Sequence, residues 1–248
     1  MNILVCLQTL FNPEELPELD PQQHFILNEN EECLISNDFD LIALEAALQL
    51  KDENPNIHIA CFSAGESDIA LRKALAMGAD EAFWLNVASL QLDARAVAEI
   101  LCQFVALQPF DLILMGKLGV HYESQQTPQR LSKLLNIPCY NKAFSIQYSE
   151  DTPNTLLVRC EAEDGIPTYQ AKLPCIITAD LRLAEPRFPS LRGMIRAKTK
   201  PLHLLNAIDY HWEIPQETTL EPVSMPETQC RMIEFGEFLS LLNNASQR

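Results

Sequence analysis

The sequence predicts an α/β protein: a mostly parallel sheet with an antiparallel addition and a C-terminal arm. Strand-length apolar runs alternate with helix-length runs over the first 140 residues. Such βα repetition produces a parallel sheet covered by helices on both faces. Three alternating runs split by Pro-Asn and Asp-Gly turns follow, and a proline-dotted polar stretch closes the chain.

The first strand spans residues 3–7 and a helix spans 40–51. Residues 11–36, rich in Pro, Glu and Asn, are too polar for the core between them and read as a loop, with a short hairpin around 23–27. Strand and helix then alternate at 57–63 and 68–77, 81–86 and 93–107, 111–115 and 126–135. Residues 143–148, 155–160 and 168–172 read as antiparallel strands, and the apolar run 173–179 returns to the core. A nucleotide-binding α/β domain is expected over 1–200, including a surface loop at 184–200. Residues 201–248, with prolines at 215, 222 and 226 and a helix-capable piece at 235–243, read as an extension that lies on another protein.

Composition narrows the function. A chain of 248 residues, 47% hydrophobic, buries a full-sized core without disulfides. Its eight cysteines are scattered, with neither a CxxC nor zinc spacing, and read as small buried hydrophobes. The net charge of -16 opposes nonspecific nucleic-acid binding, which needs a cationic surface. Apolar runs such as 112–115 and 175–178 are strand-length, so no membrane insertion is expected. The first residues read as a buried strand without a secretory signal, and a cytoplasmic location is expected. One basic cluster stands out, Arg187, Arg192, Arg196, Lys198 and Lys200, and suggests docking to an acidic surface.

Gly-x-Gly-x-x-Gly, Walker A, HExxH and G-x-S-x-G are all absent, and the five histidines have no cysteine or serine partner at a diagnostic spacing. No catalytic residue is therefore assigned. Open parallel sheets nevertheless bind ligands beyond the carboxyl ends of their strands. The distinctive loop there is GKLGVHYESQQTPQ at 116–129: a glycine permits close approach to a phosphate, and Ser124, Gln125, Gln126 and Thr127 form a polar helix start whose amides attract an anion.

Residues 158–200 read VRCEAEDGIPTYQAKLPCIITADLRLAEPRFPSLRGMIRAKTK. Glu161, Gly165, Leu173, Pro174, Thr178, Asp180, Leu181, Arg182, Leu183, Glu185, Pro186, Arg187, Leu191, Ala197 and Lys198 stand at the offsets of the signature region of the electron transfer flavoprotein (ETF) beta-subunit family, which the chain resembles over most of 1–200. The resemblance implies a Rossmann-like fold of the adenine nucleotide alpha hydrolase-like kind. It also implies an electron carrier rather than an enzyme: a heterodimer with an ETF alpha subunit that holds most of the FAD. Electrons would pass from acyl-CoA or related dehydrogenases to ETF-quinone oxidoreductase, as in fatty acid beta-oxidation.

The resemblance also implies residue roles. Gly116, Lys117, Gln126, Thr127 and Gln129 match the family loop that wraps the phosphate and ribose of a bound adenine nucleotide, usually AMP. His121 and Glu123 stand where that loop carries aspartates, and Pro128 where it carries a glycine. Asn37, Asp38, Phe39 and Asp40 look like the segment whose asparagine end lines the adenine pocket, Cys6 takes the place of a small residue against the nucleotide, and Ser63 opens a further loop of the same pocket. Gln8–Asn12 corresponds to a segment near the flavin, and Glu161 to a glutamate on the flavin side of the subunit interface. Leu191 matches the leucine that anchors the family's recognition loop in a dehydrogenase pocket, with Arg192, Arg196 and Lys198 beside it. Two alternatives stand beside this reading, a nonredox adenine-nucleotide scaffold and a hydrolase-like enzyme. For the latter, SAGESD at 63–68 resembles a pyrophosphate-binding loop, although it follows the second core strand rather than the first.

Overall fold

The computed structural model of the chain describes residues 1–12, 18–19, 25–26, 34–87, 92–119, 124–149, 151–207 and 212. In chain order, β1 (Asn2–Cys6) is followed by the short strands β2 (Thr9–Phe11), β3 (Glu18–Leu19), β4 (Phe25–Ile26) and β5 (Leu34–Ser36). Then come α1 (Asp38–Glu53), β6 (His58–Gly65), α2 (Ile69–Met77), β7 (Glu81–Asn86), α3 (Ala94–Leu107), β8 (Leu112–Gly116) and α4 (Gln126–Leu135). The chain continues through β9 (Cys139–Tyr148), β10 (Thr155–Cys160), β11 (Thr168–Lys172), β12 (Cys175–Ala179), α5 (Leu191–Ala197) and β13 (Leu202–Leu205).

Nine strands form one sheet in the order β11-β10-β9-β12-β8-β1-β6-β7-β13. From β9 to β13 every neighbouring pair is parallel, and β9, β10 and β11 are antiparallel, as the alternation predicts. Side chains alternate strictly between faces: Ile3, Val5, Ile59, Leu112 and Ile177 pack with Leu44 of α1 and Leu71 of α2. Leu4, Phe62, Ile113 and Ile176 pack on the other face with Ile100 of α3 and Leu131 of α4. Burial on both faces explains why β1, β8 and β12 read as continuous apolar runs rather than alternating ones.

The first half of β9 pairs parallel with β12 and the second half antiparallel with β10. The change is accommodated at Lys142, whose φ is 54° and whose amide donates to Thr178 Oγ1 at 2.9 Å. In the excursion, β2 pairs with β5 and β4, inside the expected hairpin, pairs with β3.

Two elements go beyond the sequence reading. Segment 184–200 contains the helix α5, capped by Ser190 Oγ, which accepts from Gly193 N at 3.0 Å. A Cβ at position 193 would collide with the carbonyl oxygen of Ala76, so glycine is what lets α5 lie on α2. After Pro201, β13 adds a ninth strand beside β7, with His203 stacked on Phe83 at 4.8 Å. The helix expected at 235–243, with the arm leading to it, lies outside the described residues.

Candidate functional site

From β1 the chain moves outward on one side through β6 and β7, then crosses back to place β8 on the other side of β1. The loops leaving the carboxyl ends of β1 and β8 therefore diverge, and a ligand crevice forms at such a reversal. A cavity of about 450 Å³ opens there, within the range of small-molecule sites.

Asp40, in the first turn of α1, joins three segments. Its carboxylate accepts from Gln8 N at 2.9 Å and from Gly116 N at 2.8 Å. Burial pushes its carboxyl up to about 7, against the opposing hydrogen bonds from Asn37, Gly116 and Gln8. Gly116 therefore has a packing task beside the one its sequence suggests. It lines the cavity, but its amide is committed to Asp40, and a Cβ there would collide with Asp40 Oδ1 and Phe39 Cβ. Its missing side chain lets α1 close on β8.

Asn37 is 2% exposed, donates from Nδ2 to Leu118 O at 3.1 Å, and leaves Oδ1 buried without a partner among the described residues. Thr9 Oγ1 is in the same condition, and both residues line the cavity. A buried polar atom left unsatisfied costs about 1–3 kcal/mol. Both oxygens are shielded from solvent, so they lie behind the lining of the cavity.

The opposite wall comes from the starts of two helices. Asp93 caps α3, accepting from Ala96 N at 2.7 Å, and Ser124, Gln126 and Thr127 open α4. Cys6 and Lys117 complete the set of predicted residues on the cavity. Phe39 sits beside them, its ring 5.1 Å from Lys117 Nζ. Asp38 and Gln125 point to solvent outside the lining, Ser63 is buried away from it, and His121 and Glu123 lie outside the described residues. Gln8 and Thr9, which the resemblance puts near the flavin, line this cavity. Asp93, Arg95 and Arg130 also line it and were not read from the sequence. The available signals were an N-cap aspartate and an arginine one turn beyond Gln126.

Glu161 follows β10 and is exposed, and its partner is in its own chain: Arg182 Nη2 lies 2.6 Å from Glu161 Oε2. Arg182 also binds Asp180, which in turn binds Lys117, so ion pairs connect the cavity loop to the antiparallel addition. Burial raises the Asp180 carboxyl, but hydrogen bonds from Arg182 and Lys117 outweigh it and hold the group below the usual carboxylate range.

Leu191 opens α5 and is 71% exposed, and Phe188 is 95% exposed. The basic cluster divides into two roles. Arg187 turns inward to Glu45 and Asp52, and Lys200 donates to the carbonyls of Leu75 and Ala79. Arg192, Arg196 and Lys198 remain as outward charges.

The profile of the electron transfer flavoprotein domain matches residues 25–209. The chain is 30% identical to electron transfer flavoprotein subunit beta of Bacillus subtilis, an alignment covering 96% of this chain and 93% of that protein. It is 34% identical to the protein of the same name from Megasphaera elsdenii, over 84% and 78% of the two chains. It is 29% identical to caffeyl-CoA reductase-Etf complex subunit CarD of Acetobacterium woodii, over 84% and 79%. Among the described residues no helix is long and apolar enough to cross a membrane.

Proposed function

Because the chain belongs to the electron transfer flavoprotein beta-subunit family, we propose that it pairs with an alpha subunit in an FAD-containing heterodimer that carries electrons from dehydrogenases of the acyl-CoA type to a quinone oxidoreductase. The occurrence of a relative in a caffeyl-CoA reductase complex favours a partner acting on CoA esters. FAD supplies the electron-carrying chemistry when bound. The residues of this chain bind, orient and present.

On the antiparallel addition, Arg159 and Arg182 flank the Phe144 ring at 5.2 and 5.3 Å, and Arg182 fixes Glu161. This face forms the chain's wall of the flavin site and its contact with the alpha subunit. The cavity at the β1–β8 reversal holds an adenine nucleotide, AMP in the simplest case. Asn37 and Thr9 receive its base and ribose, and the start of α4 receives its phosphate. The cavity at the carboxyl ends of β1 and β8, lined by Asn37, Thr9 and the start of α4, is the observation that carries this assignment. Phe188 and Leu191 anchor the dehydrogenase, with Arg192, Arg196 and Lys198 orienting it.

Co-purification with the alpha subunit tests the reading. The complex is expected to be yellow with about one FAD, and the isolated chain colourless, because the flavin belongs mainly to the partner. Denaturing the complex is expected to release an adenine nucleotide identifiable by mass spectrometry. A colourless complex overturns the electron-carrier role, and absence of the nucleotide overturns the assignment of the cavity.

A further inference from the structure

The docking surface proposed above has few contacts of its own that fix it. Phe188 is 95% exposed and Leu191 71%, so neither side chain is located by packing within this chain. What locates them is the backbone on either side. Downstream, Leu191 opens α5, which is capped by Ser190 and lies on α2. Upstream, the residue next to Phe188 is Arg187, and Arg187 is held by α1.

Glu45 provides that hold. It lies in the middle of α1 at 3% exposure, flanked by the buried Leu44 and Ala46. Its Oε2 accepts from the backbone amide of Arg187 at 3.1 Å and from Nε at 2.9 Å, and its Oε1 accepts from Nη2 at 2.8 Å. One carboxylate therefore fixes both the main chain and the guanidinium of the residue that precedes Phe188. Asp52, about two helical turns further along α1, accepts from the same Nη2 at 2.7 Å but is largely exposed. A buried carboxylate in a helix centre needs a paired cation. Among the described residues Arg187 is the one cation paired with Glu45.

We infer that Glu45 is a positioning residue for docking: it acts through Arg187 to set where Phe188 stands, while Leu191 is placed mainly by α5. The inference rests on the dehydrogenase-docking reading given above, and it makes recognition depend on a carboxylate buried beneath the docking surface. A displaced Phe188 weakens the complex with the dehydrogenase without touching the flavin. The effect therefore falls on the KM of the dehydrogenase for its electron acceptor and not on kcat.

The test uses the heterodimer as the varied substrate of the acyl-CoA type dehydrogenase that reduces it, with FAD content measured alongside. Glu45→Gln is expected to raise KM by about five- to twentyfold with kcat within about twofold, because uniform binding is what is lost. Asp52→Asn, at an exposed pair, is expected to leave KM within about twofold of wild type. The distinguishing readout is coupling. In a Phe188→Ala background Glu45→Gln is expected to add less than about twofold to KM, whereas in a Leu191→Ala background it keeps most of its effect. Glu45→Leu combined with Arg187→Met removes both charges together, preserves folding where Glu45→Gln alone does not, and is expected to raise KM to the same extent. Equal effects of Glu45→Gln with and without Phe188, or unchanged KM in the Glu45 variants while Phe188→Ala raises it, overturns the inference. A KM that rises only together with loss of FAD marks a general structural role and overturns it too. If Phe188→Ala and Leu191→Ala both leave KM unchanged, the docking reading itself fails.

Discussion

Lys117 Nζ lies 3.0 Å from Asp180 Oδ2, tying the loop after β8 to the end of β12 across the carboxyl edge of the sheet. The other carboxylate oxygen takes Arg182 Nε at 2.8 Å, so one nearly buried acid bridges two cations.

Removing that acid strands Lys117 and leaves Arg182 with Glu161 alone. Asp180→Ala is expected to lower stability by about 2–3 kcal/mol, less than for a fully buried pair because Lys117 and Arg182 reach solvent. Urea unfolding of wild type and variant measures it. An unchanged midpoint means that the acid contributes nothing to folding.

Leu191→Ala removes an exposed side chain. Electron transfer from the partner dehydrogenase is expected to slow by roughly ten- to a hundredfold, with the melting temperature within about 2 °C of wild type. Unaltered stopped-flow kinetics place docking on another surface.

Gly193→Ala acts on the same helix from beneath. The new Cβ collides with Ala76 O, so α5 must lift from α2, at a cost of about 1–3 kcal/mol. This variant is expected to lose stability and transfer rate together, whereas Leu191→Ala loses rate alone. A Gly193→Ala protein as stable as wild type contradicts the close packing of the two helices.

Asp40 sets a pH dependence with an unusual sign. Its carboxyl titrates near 7 in the folded chain and near 4 when unfolded. Between those values the folded state holds a proton that the unfolded state has released. Stability from this group therefore falls as pH rises from about 4 to about 7, by up to roughly 4 kcal/mol, and is level above that. Subtracting the Asp40→Asn stability profile from that of wild type isolates the effect. A difference that is flat from pH 4 to 7 contradicts it.

The βα order of the core was legible because each strand and helix carries its own period, and the signature over 158–200 fixed the family. Two elements escaped for physical reasons. β13 buries only Leu205 fully, so LHLL shows no alternation. α5 has seven residues, one of them glycine, and buries none of them fully, so it lacks an apolar stripe. Within the site, Asn37, Lys117 and Thr127 were legible through the family pattern. Arg95 and Arg130 were not, because residues on α3 and α4 reach one cavity only after both helices settle on the same sheet face. The packing task of Gly116 was not legible for a related reason: sequence shows that a glycine is present, but not which atom would occupy its Cβ position.

The segment carrying Leu191 is pinned on both flanks before any partner arrives, by Arg187 on Glu45 and Asp52 upstream and by β13 on β7 downstream. A surface that is already ordered needs no folding step on encounter. Association is then governed by diffusion and by the long-range pull of Arg192, Arg196 and Lys198, and little ordering entropy is lost on contact. Added salt should slow arrival far more than it hastens departure. Brief, repeated visits of that kind suit a shuttle that must release one partner before it can serve the next.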